Sequence, residues 1–428
     1  MTRLKRDGLD RRTFMGLLSA GAATMGLGGA AGAAELAEGK ALATSRPAGG
    51  LIDSPPVLQN PSASGVTVIW AVGAPATGWV EYGPTRELGR RAELPSYGLN
   101  PYDSRFLSAR IEGLTPGQSV FYRVVCVPVD FKGPYKIVRG EAVMGEVHEF
   151  QLPDPGADRA TFAVINDTHE HADTLAALTG RLTAESADLT VWNGDVFNDV
   201  RSDDQVVAQV LRPAGAAYAA RRPVLFTSGN HDVRGVHARW LARAIAPWRA
   251  EGELGRCFTL RHGPLAIVGL DTGEDKPDRH PVWAGLANFE PYRAAQAAWL
   301  KGALARPEVA SAPFVVVFCH IPLWGLPGDN PGDTLEGYAD YCRNAQQQWH
   351  ALLADAKVQL VVSGHTHKHR YDAPCAAHAY GQLVGGGPRP EQATMIRGTV
   401  TREKLAVELT DVAGKPLGAW EFAPRAAM

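Results

Sequence analysis

Thr161-Phe162-Ala163-Val164-Ile165-Asn166-Asp167-Thr168-His169 is the stretch on which the fold turns. Its apolar run is short, does not alternate, and stops at an Asp-x-His. Such a run reads as an apolar strand. The pattern recurs downstream. Leu189–Trp192 leads to Gly194-Asp195, and Val224–Thr227 leads to Gly229-Asn230-His231-Asp232. Phe314–Phe318 leads to His320, and a further apolar run leads to Gly364-His365-Thr366-His367. Helical patterns separate the runs at Ala172–Ala187, Asp204–Ala220 and Val236–Trp248, and Ala294–Leu304 precedes the run at Phe314. Alternation of this kind predicts α/β layering, with reactive groups gathered at the carboxyl ends of the strands.

Before Asp158 the texture differs. Val66–Trp70, Gly78–Gly83, Phe106–Ile111, Val120–Val127 and His148–Phe150 are strand-like, with a turn at Leu114-Thr115-Pro116-Gly117. Short strands at this spacing predict an all-β sandwich over residues 55–155, followed by an α/β domain over 158–428. Residues 35–54 are rich in Ala, Gly, Ser and Pro and read as a linker. The tail from Met395 to Phe422 offers two or three more strands around Ala413-Gly414-Lys415-Pro416.

Residues 1–34 read as a targeting segment. Arg3, Lys5, Arg6, Arg11 and Arg12 give a basic start, and Arg11-Arg12-Thr13-Phe14-Met15 resembles the twin-arginine export motif. A weakly apolar, Gly-rich stretch follows, with a small-residue cleavage site at Ala31-Gly32-Ala33. The alternative is a membrane anchor, which the glycines weaken. Export implies a periplasmic or secreted protein.

The 428 residues carry a net charge of −2, with 45% hydrophobic and 21% charged residues, as in an ordinary globular protein. No basic surplus is available to hold a nucleic-acid backbone, which argues against that partner. The five cysteines, Cys126, Cys257, Cys319, Cys342 and Cys375, show no CxxC spacing. That spacing argues against a zinc ribbon or thioredoxin site and excludes a dense disulfide scaffold, though not one or two bridges, and Cys319 reads as a buried thiol.

The chemistry lies in the strand-end motifs. Residues at i and i+2 on extended chain point the same way, so Asp167 and His169 can hold one ion together. His365 and His367 share that spacing, although a turn after Gly364 can aim them at different ions. Imidazole mixed with carboxylate suits Fe, Mn, Zn or Co rather than Ca. Taken singly, each motif has an ordinary reading: a turn, a helix cap, a core histidine. Five of them in this order, each after an apolar run, do not.

The set resembles the calcineurin-like metallophosphoesterase superfamily over residues 160–370. The earlier β region more loosely resembles the fibronectin type III-like domain of purple acid phosphatases, through Ile111–Val124. The resemblance implies a two-sheet β-sandwich flanked by helices. It implies two transition-metal ions (Fe, Mn or Zn), one held by Asp167, His169, Asp195 and His367. The other is held by Asp195, Asn230, His320 and His365, with Asp195 between them. It further implies a metal-bridging hydroxide that attacks phosphorus, and His231, paired with Asp232, as general acid. The substrate is then a small phosphoester, with phosphomonoester hydrolysis leading. Phosphodiesters, cyclic nucleotides included, are the alternative, and a secreted binding or adhesion protein with a structural metal site is the third reading.

Two departures narrow the resemblance. Purple acid phosphatases carry a tyrosine where this chain has Asn198 and a glycine where it has His169, so their tyrosinate colour is expected to be absent. Protein Ser/Thr phosphatases carry Glu where this chain has Asp232 and Arg where it has Val200, so a protein phosphatase does not fit. Arg234 reads as a phosphate clamp or a salt bridge, and Asn198 as phosphate-facing or a loop hydrogen bond. His171 and His369 read as exposed. The Gly- and Pro-rich segment 324–341 reads as a lid. The oligomeric state is not legible.

Overall fold

The computed structural model describes residues 50–248, 254–325 and 342–426. The targeting segment, nearly all of the linker, and residues 326–341 of the suggested lid lie outside the described residues. No helix among the described residues is long and apolar enough to cross a membrane.

The apolar runs form strands, and the strands stack as two sheets. Ala160–Ile165, Leu189–Asn193 and Val224–Thr227 pair in parallel at the centre of a nine-stranded sheet. Leu265–Gly269, Phe314–Phe318, Leu360–Ser363 and Gly381–Val384 pair in parallel in a six-stranded sheet. The apolar residues of these runs face either the other sheet or a helix, so both faces of each strand are buried. Phe162, Val164, Val191 and Leu225 meet Ile267, Val316, Phe318 and Val362 between the sheets. On the outer face of the larger sheet, the helix Ala172–Ala184 and the helical run from 203 to 219 cover Ala163, Ile165 and Trp192. On the other outer face, Phe289–Ala305 and Arg343–Asp355 cover Val268, Val315 and Val317. The architecture is therefore α/β, a two-sheet sandwich flanked by helices.

The tail completes the larger sheet with three antiparallel strands, Thr394–Val400, Leu405–Asp411 and Pro416–Phe422. At its other end the sheet runs on into the amino-terminal β region. Val57–Ser62 pairs in parallel with Val224–Thr227 through Gln59 and Val224, and Gly65–Ala71 and Phe106–Ile111 follow in antiparallel order. A second six-stranded sheet, centred on Ala76–Gly83 and Ser119–Gly133, packs over them. Trp70, Leu107, Tyr122 and Phe150 fill the space between. The Tyr122 hydroxyl donates to Ala220 O (2.8 Å), so it is satisfied although buried.

One expectation is corrected. The helical pattern at Val236–Trp248 yields only 3-10 turns, Ala238–Arg243. Ala244 and Ile245 N–H still donate to Leu241 O (3.0 and 2.8 Å), but the next groups turn to Gln59: Gln59 Nε2 donates to Ala244 O (2.9 Å) and Ala246 N–H donates to Gln59 Oε1 (2.9 Å). A buried side-chain amide here outcompetes helix continuation, and Pro247 could not have donated in any case.

Candidate metal centre

All five motifs lie immediately beyond the carboxyl ends of the central strands, so the two sheets deliver them to one place. Asp167, His169, Asp195 and His367 bring one ligand atom each within 4.8 Å of one another, and so do Asp195, His320 and His365. Asn230 joins the second group through His365, whose Nδ1 lies 2.9 Å from Asn230 Oδ1. The seven candidate ligands are thus gathered in two groups that share Asp195.

The backbone bends to achieve this. Asp167, His169, Asp195, His365 and His367 all have positive φ, between 41° and 71°. Non-glycine residues rarely adopt that conformation, and its cost persists where the surroundings fix it, typically at functional sites. Two glycines allow the approach. A Cβ on Gly229 would lie 2.1 Å from Asp195 Oδ1, and one on Gly364 would lie 2.3 Å from Asp167 Oδ2.

Each carboxylate is anchored by one oxygen and presents the other. Asp195 Oδ1 accepts from His231 N–H (2.9 Å), while Oδ2 lies 3.3 Å from His169 Nε2 and 3.1 Å from His320 Nε2. Asp167 Oδ2 accepts from His365 N–H (2.9 Å) and from the Asn166 amide, while Oδ1 lies 3.3 Å from His367 Nε2. The imidazoles follow the same rule. His169 Nδ1–H points at Asn198 Oδ1 (3.3 Å) and His320 Nδ1–H at Asn193 O (2.8 Å). That tautomer puts the lone pair on Nε2, the arrangement that prepares a histidine to bind a metal. His320 Nε2 is buried and makes no hydrogen bond. His367 Nε2 and His169 Nε2 face each other at 3.1 Å, close enough to share a proton or, in its place, a cation.

The electrostatics agree. Burial works against charge on Asp167 and Asp195, yet the surrounding imidazoles hold both carboxyls well below the usual carboxylate range. Burial also opposes charge on His169 and His320, but the two carboxylates push them up to about 10 and about 9. His365, buried and beside His320, is pushed down to about 4. Two buried carboxylates thus draw protons onto neighbouring imidazoles. A cation supplies the same positive charge, and its binding releases those protons. The donor set of nitrogen and oxygen fits transition-metal ions.

The structure corrects one expectation about the catalytic pair. His231 does not bond Asp232. The Asp232 carboxylate is buried and accepts from the backbone N–H groups of Asp195 (2.9 Å), Val196 (3.0 Å), Phe197 (3.4 Å) and Gly229 (2.8 Å). It holds the turn that carries Asp195. His231 instead donates from Nδ1 to Asn198 O (2.7 Å), and its Nε2 accepts from Arg234 Nη1 (3.0 Å). Burial and the cation Arg234 push its pKa down against the pull of Asp195. Arg234 is held in turn by Glu274 and by Asp275 (3.0 Å). Asn198 also donates from Nδ2 to His169 O (3.2 Å), so it braces His169 through its side chain and His231 through its carbonyl. His171 and His369 are exposed, and Cys319 is a buried free thiol.

Sequence reasoning missed Asn166, Asn193, Glu274 and Asp275. Asn166 and Asn193 carried a usable signal, since each is a polar residue ending an apolar run. Glu274 and Asp275 had none, because they meet Arg234 from 40 residues away.

Comparisons with known proteins fit this geometry. The calcineurin-like phosphoesterase family matches residues 160–369, which include all seven candidate ligands. Purple acid phosphatase 22 of Arabidopsis thaliana is 24% identical over 234 residues, 52% of this chain and 47% of that protein. The chain thus spans about half the length of that relative. The solved purple acid phosphatase PPD1 of yellow lupin (Lupinus luteus) has a TM-score of 0.62 at 15% identity, over 86% of this chain and 74% of that one. The structure of PhoD has a TM-score of 0.58 at 14% identity, over 87% and 89%. The two structures share the fold.

Proposed function

We propose that this chain is a phosphoester hydrolase that works with two transition-metal ions and acts mainly on phosphomonoesters. The observation that carries the reading is the orientation of the donors. Nε2 of His169 and His320 and the inward oxygens of Asp167 and Asp195 converge, each fixed from behind by a protein group, and His365 and Asn230 close the second group side by side. Asp167, His169, Asp195 and His367 would hold one ion. Asp195, Asn230, His320 and His365 would hold the other. When bound, such ions polarise phosphoryl oxygens and supply the activated water.

The remaining residues prepare the phosphoryl group. His367 is 39% exposed whereas His169, His320 and Asp195 are nearly or fully buried, so the substrate enters over His367. Protonated at Nε2 in place of the hydrogen bond it accepts there from Arg234, His231 would give that proton to the leaving oxygen, oriented by the Asn198 carbonyl rather than by Asp232. Arg234, steadied by Glu274 and Asp275, adds positive charge beside it. Its charge favours the dianion of a monoester.

Metal-reconstituted protein should turn over nitrophenyl phosphate at least about tenfold faster than bis(nitrophenyl) phosphate. The reverse order would replace the monoester reading with a phosphodiesterase. Two bound ions with turnover of neither ester would make the site a binding device. We further propose that residues 55–155 are a fibronectin type III-like domain and that residues 1–34 direct twin-arginine export to the periplasm or beyond. Changing both Arg11 and Arg12 to Lys should strand uncleaved precursor in the cytoplasm, and normal export of that variant would refute the route.

A further inference from the structure

The parallel strands that end at the metal cluster begin at a polar cavity. Thr161, Leu189 and Pro223 mark their amino ends and line a space of about 460 Å³. Strands of five or six residues place the two ends roughly 17–20 Å apart. Arg159, Arg221, Arg222 and Arg397 all border the cavity. Asp188, the carboxylate that borders it, is already committed. It accepts from Thr161 N–H and Oγ1–H (both 2.7 Å) and lies 3.5 Å from His262 Nε2. In a chain of net charge −2, this is a local surplus of positive charge.

The arginines fall into two pairs. Arg222 donates to Leu182 O and to Glu185 O (3.0 Å), carbonyls at the carboxyl end of the helix Ala172–Ala184. Arg397 donates to Ser186 O (3.1 Å) and to Glu185 Oε2 (2.7 Å). These two are built into the wall. Arg159 and Arg221 stand exposed at the rim, and among the described residues neither pairs with a carboxylate. Burial lowers the Arg222 pKa, and Arg221 and Arg397 lower it further by repulsion. An anion between them would relieve that repulsion.

We propose that this cavity binds a small polyanion carrying two or more phosphoryl-type groups, gripped at the rim by Arg159 and Arg221. The volume lies in the range of small-molecule sites. The guanidinium fork suits tetrahedral oxyanions. Arg159 belongs to the connection between the two β regions, so the ligand would tie that connection to the edge of the central sheet. The site shares no residue with the metal cluster and does not depend on the proposed activity.

The test is equilibrium dialysis of the metal-loaded full chain with methylenediphosphonate, whose P–C–P link a phosphoester hydrolase does not split. Wild type should show two binding events, one at the metal cluster and one at the cavity. Arg159→Ala/Arg221→Ala should weaken one of them about a hundredfold, with metal content and thermal midpoint unchanged. Asp195→Asn should remove the other. Arg221→Glu should weaken the cavity event at least as much as the double change. Wild-type binding by both arginine variants would overturn the proposal. So would a single wild-type event that Asp195→Asn abolishes.

Discussion

The two sheets contribute unequally to the metal cluster. The nine-stranded sheet supplies both carboxylates, the amide and one imidazole: Asp167, Asp195, Asn230 and His169. The six-stranded sheet supplies imidazoles alone: His320, His365 and His367. The closest contacts cross between them, His320 to Asp195 at 3.1 Å, His367 to Asp167 at 3.3 Å and His365 to Asn230 at 2.9 Å. Apart from Asn193, whose amide donates across to Val362 O (3.1 Å), the sheets elsewhere meet through apolar side chains. Negative charge is thus kept on one layer and neutral donors on the other, and a cation bonded to both would clamp the layers at this end.

Asp195 tests that division most severely, because both groups share it. Asp195→Asn should lose both ions and at least about 10⁴-fold in turnover, well beyond the 10–100-fold expected of a supporting residue. Elemental analysis and rate together decide the matter. A variant that keeps two ions per chain would mean the groups do not share a carboxylate.

His231 lies on the carboxylate-bearing layer but is not a candidate ligand. His231→Ala should therefore keep its metals and lose about 10²–10⁴ in turnover, the range of proton-transfer help. The loss should be small for nitrophenyl phosphate, whose leaving group needs no proton, and large for an alkyl phosphate. Equal losses on both esters would make His231 a phosphoryl-positioning residue instead.

Removing the metals exposes the charge division directly. In the metal-free protein His320 is pushed up to about 9, against burial, by Asp195 and Asp167. A raised histidine contributes stability that is fully present below its unfolded value of about 6.5 and lost as pH rises through its folded value. Chelated protein should lose a few kcal/mol, as an order of magnitude, between about pH 6.5 and 9. Metal-loaded protein should lose much less, since the ion replaces the proton. Thermal midpoints from pH 6 to 10, with and without chelator, read this out. Parallel curves would mean that the imidazoles do not stand in for a cation.

How far the sequence foretold this depends on the range of each interaction. The central strands were legible because burial on both faces leaves an unbroken apolar run, as in Thr161–Ile165 and Phe314–Phe318. Strands with mixed composition were not, among them Phe258–His262 and Gly381–Val384, which only their neighbours define. The candidate ligands were legible because each sits at the end of such a run. The partner of His231 was not. Adjacency suggested Asp232, but Asp232 faces the backbone of a turn some 36 residues earlier in the chain. The join between Val57–Ser62 and Val224–Thr227 was equally hidden, since it brings together segments far apart in sequence.

Asn198 gives the smallest effect and the finest distinction. Its side chain braces His169, donating to His169 O and accepting from His169 Nδ1, while its main-chain carbonyl accepts from His231 Nδ1. Asn198→Ala removes the first connection and leaves the second. Only the ion nearest His169 should then suffer, with its affinity falling about 10–100-fold, as for other groups that orient a ligand. Turnover should fall at limiting metal and recover as metal is raised, with KM for the ester unchanged. The contrast between alkyl and nitrophenyl esters should stay that of wild type, because His231 keeps its anchor. If KM rises and added metal does not help, Asn198 faces the phosphate. If the leaving-group contrast changes, the two connections are not separable, and His169 and His231 act as one unit through this residue.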